Sequence, residues 1–146
     1  MYSINCPLGT IFWEGTMRRQ LMTRYGFDYL QANGVSTEDI QRTTCIVPVP
    51  THASSVKLGA GVSLCRHGET LNHVVIGDAD PIQAWVSIGL TPIIFSSVLA
   101  RNMLGKKKNS RVKNENGEEF LIVDVFAPDT SGETIYEHPE QVSSIC

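Results

Sequence analysis

Residues 62–75, VSLCRHGETLNHVV, decide how the chain is read. Apolar and β-branched residues lie on both sides of a short polar string, Arg66-His67-Gly68-Glu69-Thr70. Val, Leu and Ile favour the pleated strand, whereas a glycine within a polar string favours a turn. The stretch therefore reads as strand, turn, strand. The first strand extends back through SVKLGAGVSLC, where Gly59 and Gly61 predict a bulge or a close backbone approach. The second is carried by LNHVVIG.

Downstream, KKKNSRVKNENGEEFLIVDVFAP supplies a second pair of strands, with Asn116-Gly117 as the hairpin signal between SRVK and FLIVDVF. Between the two pairs, Asp80-Pro81 predicts a helix opening before Ile82, Trp85 and Val86, closed by Gly89. Thr91-Pro92 repeats the device and predicts a central helix over 92–104, closed by Gly105. Upstream, Trp13, Met17, Leu21 and Tyr25 recur every four residues, which predicts an N-terminal amphipathic helix capped by Thr10 and stopped by Gly26. FDYLQANG adds a turn or two of helix ending at Gly34, and STEDIQR a short one capped by Ser36. TTCIVPVP, with its two prolines, fits an edge strand. The expectation is one α+β domain over 1–146 with a mainly antiparallel sheet, residues 128–146 forming a loosely held acidic tail.

At 146 residues the chain is long enough for a core of its own, and 42% hydrophobic against 18% charged residues describes a globular protein. The net charge of −3 gives no overall bias toward nucleic acid or membrane. The apolar stretch at 82–104 is interrupted by Ser87, Gly89, Pro92 and Arg101, so no membrane contact is expected. Cys6, Cys45, Cys65 and Cys146 match no metal knuckle or compact disulfide framework, and the N-terminus shows no secretory pattern. Reduced thiols in the cytoplasm are the expectation.

Charge is distributed unevenly. Arg101, Lys106, Lys107, Lys108, Arg111 and Lys113 place six of the twelve basic residues within thirteen positions. Beyond Lys113 there is no Lys or Arg, and eight acidic residues follow. A helix C-terminus attracts cations, which explains part of the cluster. The rest suits docking to an anionic partner: a protein first, with nucleic acid or a nucleotide as further possibilities. No aromatic residues interleave the cluster, so base stacking is not indicated.

The string LCRHGET resembles the signature of the histidine phosphatase family, the phosphoglycerate-mutase-like enzymes. The resemblance implies a phosphate-ester-processing enzyme with His67 as nucleophile or acid–base group and Arg66 as phosphate clamp. A neutral imidazole is a competent nucleophile, and guanidinium binds phosphate bidentately. GETLNH at 68–73 is echoed by GETIYEH at 132–138, so His73 and His138 form a candidate acid–base pair. Two metal sets can be drawn: Cys65 and His67 with Cys45 and His52, or Asp78 and Asp80 with Asp124. Asp80 is also the natural cap for a helix beginning at Pro81. Neither metal set is adopted, and no cofactor is expected.

The sequence assembles no complete catalytic set, and it is read as a small non-enzymatic binding protein (an inhibitor, adaptor or assembly subunit). Its expected contact surface is the basic helix end and hairpin at 101–113. The alternative is the phosphate-ester enzyme built on His67 and Arg66.

Overall fold

The computed structural model describes residues 20–131 and 133–136, and the central strand–turn–strand is its organising element. Strand β3 (Gly61–Arg66) and strand β4 (Glu69–Ile76) pair antiparallel, with Arg66 opposite Glu69. Only His67 and Gly68 remain for the turn, and both adopt positive φ, 54° and 79°. That is the backbone of a two-residue hairpin of the type whose twist matches the flanking strands. The apolar alternation around the polar string thus becomes a ladder, and the string itself becomes its tip.

The other edge of β3 pairs antiparallel with β7 (Glu119–Phe126), the register shifting between Ser63 and Leu64. Gly61 lies opposite Phe126, and a Cβ there would stand 2.3 Å from the phenyl ring, so the glycine allows the close approach expected of it. β7 forms a hairpin with β6 (Arg111–Lys113) around the Asn114–Glu118 loop. β5 (Thr91–Ile94) runs parallel to β4 at the opposite edge. The sheet order is β5-β4-β3-β7-β6. The molecule is therefore α+β with a mostly antiparallel sheet, as the sequence indicates.

A second, two-stranded sheet joins β1 (Gln20–Thr23) to β2 (Thr44–Val47) in parallel, connected by helices α1 (Arg24–Ala32) and α2 (Glu38–Thr43). The expected N-terminal helix is corrected here: Leu21 and Met22 are strand residues, both buried, and Arg24 opens the helix behind Thr23 as N-cap. The earlier part of that stretch, with Trp13 and Met17, lies outside the described residues. Gly26 does not stop a helix but sits buried inside one, because a Cβ there would strike the Asp80 carboxylate. α2 begins after Thr37 rather than Ser36, with no side-chain cap.

The central helix is shorter than expected. Thr91 and Pro92 belong to β5, where an edge position tolerates proline. Helix α4 covers only Val98–Met103, with Ser97 Oγ accepting from Ala100 N–H at 3.2 Å. The hydroxyl cap is real but sits six residues later, because the β-branched Ile93 and Ile94 complete the sheet beside Val75 and Ile76. α3 (Ile82–Val86) falls where the sequence puts it.

Asp80 is not the cap of α3, which has no side-chain cap. Its carboxylate turns back to hold β1 against the main sheet. It accepts from Thr23 N–H (3.0 Å), Thr23 Oγ1–H (2.6 Å) and Gly77 N–H (2.7 Å). Asp78 accepts from Leu21 N–H at 2.9 Å, and Ala79 N–H donates to Leu21 O. Gly77 is pressed so closely on Leu21 O that a Cβ would lie 2.1 Å from it. Burial pushes the Asp80 carboxyl up to about 6, against the hydrogen bonds from Thr23 and Gly77 and the nearby Trp85 indole, which pull it down.

The core divides between the sheet face under α4 (Val62, Leu64, Val75, Met103, Ile122), the Trp85–Ile76–Leu90 group, and Met22, Phe27 and Ile46 beneath α1. Within the acidic tail, Tyr136 N–H donates to Ile88 O and its ring lies 5.4 Å from that of Phe126. No helix among the described residues is long and apolar enough to cross a membrane.

Cys45 and Cys65 are both buried and both disulfide-bonded. This corrects the expectation of reduced thiols, so the cysteines no longer argue for the cytoplasm. The spacing of four cysteines carries no information on which strands bring sulfurs together.

Candidate basic docking surface

Six cations fall on the segment that runs from α4 to β6, the strand at one edge of the sheet, and local backbone rules shape that segment. α4 stops at Met103, Gly105 turns at φ 83°, and Lys106 N–H returns to Met103 O. The chain then passes beside residues 55–56. Gly105 N–H donates to Val56 O, Val56 N–H donates to Lys106 O, and Ser55 bridges Lys107. Asn109, at φ 77°, turns the chain into β6, donating its N–H to Ile122 O at 2.7 Å.

Strand alternation then sorts β6 into two faces. Val112 is buried in the core, whereas Arg111 and Lys113 are exposed on the other side. Lys106, Arg111 and Lys113 converge on one concavity of about 330 Å³, completed by Asn102, Val112 and Glu119. Arg111 reaches Glu119 at 3.4 Å. Among the described residues, no carboxylate lies within ion-pair distance of Lys106 or Lys113. Arg101, Lys107 and Lys108 are exposed and do not line this concavity. Asn102 and Glu119 are lining residues that the sequence reading did not single out. Asn102 lies one residue past Arg101 within α4, and Glu119 opposite Lys113 in the hairpin register.

A second concavity, about 440 Å³, is lined by Thr51, His52, Ala53, Ser54, Ser55, Lys57 and Ala127. It offers hydroxyls and two basic groups, and among the described residues no carboxylate lines it.

The structure puts His67 at the tip of the β3–β4 hairpin, exposed, and in neither concavity. Arg66 is bound to Glu118 at 2.8 Å and lies over the Phe120 ring at 5.8 Å. His73 is on β4 opposite Val62 and Thr91, while His138 lies outside the described residues. Among the described residues no three metal-binding side chains cluster. Cys45 and Cys65 are committed to disulfides, and Asp78 and Asp80 to backbone N–H groups.

No family model matches the chain, and no curated protein matches it. Among solved structures, it aligns with the GreA factor homolog 1 (Gfh1) protein of Thermus thermophilus at 15% identity and a TM-score of 0.42. That alignment covers 75% of this chain and 100% of the other. Gfh1 of Thermus aquaticus aligns at 15% identity and a TM-score of 0.39, over 76% and 100% of the two chains. The transcription elongation factor GreA/GreB from Nitrosomonas europaea gives 13% identity and 0.37, over 75% and 99%. At these values the likeness assigns neither activity nor partner.

Proposed function

We propose that this chain is a non-enzymatic binding protein that docks an acidic segment of a partner protein on the basic face around α4 and β6. The observation that carries the reading is the convergence of Lys106, Arg111 and Lys113 on one concavity that, among the described residues, contains a single carboxylate, Glu119. Three cations against one anion leave the site electrostatically unsatisfied, and an acidic partner would complete it. Arg101, Lys107 and Lys108 extend the positive potential beyond the rim and would steer the encounter. A protein segment fits better than a nucleic acid, since among the described residues no aromatic side chain lines the concavity for base stacking.

The phosphate-ester alternative is not carried forward. Arg66 is engaged by Glu118, and His67 occupies the first position of a two-residue turn.

The test is capture of partners from native extract by the full chain and by the triple variant Lys106→Glu, Arg111→Glu, Lys113→Glu. Capture of acidic proteins should disappear with the triple variant and survive His67→Ala. It should also weaken as salt rises from about 0.05 to 0.5 M, because the screening length shrinks from about 14 Å to about 4 Å over that range. Undiminished capture by the triple variant would sink the proposal.

A further inference from the structure

Among the described residues β6 is an edge strand with no neighbour on its outer side, and the hydrogen-bond pattern shows which groups it presents. In an antiparallel pair, alternate residues exchange both main-chain bonds with the neighbour while those between them face away. Ile122 N–H donates to Ser110 O, and Asn114 N–H donates to Glu118 O. With Val112 opposite Phe120, the inward-bonded positions of this segment are 110, 112 and 114. Arg111 and Lys113 therefore turn their N–H and C=O groups outward. Of these four groups, Lys113 O is taken by Asn102 Nδ2 at 2.8 Å. The other three meet no partner among the described residues.

Resting on the docking role proposed above, we infer that β6 takes its partner by strand addition. An extended acidic segment pairs antiparallel with Arg111–Lys113 and places carboxylates at alternate positions opposite the two cations. Main-chain groups supply the pairing, and the alternating side chains supply selectivity. The outward groups of Arg111 and the N–H of Lys113 receive the strand. The side chains of the same two residues, with Lys106 beside them, receive its charge. Asn102 closes the edge at Lys113 O, so the added strand is short and ends there.

The edge also selects against the commonest wrong occupant. A second copy of β6 would set Arg111 and Lys113 against cations, and like charges directly opposite one another on paired strands repel. An acidic strand meets the opposite condition. At the far edge, β5 carries Pro92, which has no N–H to donate, and exposed Ile94. The two edges therefore differ in both hydrogen-bonding capacity and charge.

The experiment uses the full chain and a labelled synthetic peptide, Ser-Glu-Val-Glu-Val-Ser, with binding read by fluorescence anisotropy. In the inferred pairing the two glutamates lie opposite Arg111 and Lys113, and their amides face the edge, whereas the valine amides face solvent. N-methylation of both glutamate amides should weaken binding at least tenfold with the carboxylates intact. N-methylation of the valine amides should change it less than twofold. The Arg111 and Lys113 amides should gain hydrogen-exchange protection with the unmodified peptide. If N-methylating the glutamates has no effect while Arg111→Glu with Lys113→Glu abolishes binding, strand addition is overturned and the docking reading stands. If the unmodified peptide does not bind at all, both fall.

Discussion

Two regions handle charge in opposite ways. At Asp80 a carboxylate is buried and surrounded by donors, which clamp β1 to the loop after β4. At β6 three cations stand exposed around a concavity where, among the described residues, a single carboxylate answers them. The first arrangement is internally complete except for the cost of taking the charge out of water, visible in a carboxyl pushed up to about 6. The second has less counter-charge than charge among the described residues. A charge the fold has already satisfied is structural, whereas one left unsatisfied at the surface is available to a partner.

The largest effect should come from breaking the buried side of this comparison. Asp80→Ala orphans the N–H groups of Thr23 and Gly77, and each unsatisfied buried donor costs about 1–3 kcal/mol, so urea unfolding should show a loss of about 3 kcal/mol. Asp80→Asn should behave differently. Its oxygen can accept from both N–H groups while its amide donates to Thr23 Oγ1, and it carries no charge to desolvate, so it should match wild type below pH 3.8 and exceed it by up to about 3 kcal/mol at neutral pH.

The same pair of proteins tests the pH dependence. The folded carboxyl titrates at about 6 against an ordinary 3.8, so the folded state binds the proton more tightly than the unfolded state. This group's contribution is therefore greatest below pH 3.8 and declines as the pH rises through 6. The decline is about 3 kcal/mol at 1.36 kcal/mol per unit. Wild-type stability relative to Asp80→Asn should fall across that window and level off above it. A flat difference would mean that the carboxylate is not desolvated.

On the exposed side, reversing Lys106, Arg111 and Lys113 should abolish partner capture while changing stability by no more than about 0.5 kcal/mol, the usual range for surface substitutions. A large stability loss would turn the basic face into a structural feature and erase the contrast. The smallest effect is expected at the hairpin tip. His67→Gly removes a side chain from a positive-φ position and should stabilise by roughly 0.5–1 kcal/mol in thermal unfolding, as expected where a bulky residue gives way to one that adopts φ > 0 readily.

Most of the main sheet was legible because its strands carry local signals. The apolar alternation about Arg66–Thr70 and the Asn116-Gly117 loop each specify a hairpin without reference to the rest of the chain. The β5 segment was not legible: Thr91-Pro92 suits a helix opening locally, and only pairing with β4 makes it a strand. β1 shows the same override, since Leu21 and Met22 fit a helical stripe until β2 and the Asp78–Asp80 loop provide strand partners. The basic cluster was visible as composition. What the sequence could not show was its division into three residues that line a concavity and three that do not, which depends on the turn at Gly105 and the bend at Asn109.

The position of β7 has a consequence for how the molecule assembles. The β3–β4 and β6–β7 hairpins each close over a few residues, but the pairing that unites them joins Gly61 to Phe126 and Cys65 to Leu121. Loop closure over such a distance is slow compared with forming either hairpin. During synthesis, β3 and β4 would emerge early with one side of β3 unpaired and wait for more than forty further residues before β7 covers it. The interval between translating Ile76 and Phe126 is thus the period in which the nascent chain is most exposed to mispairing.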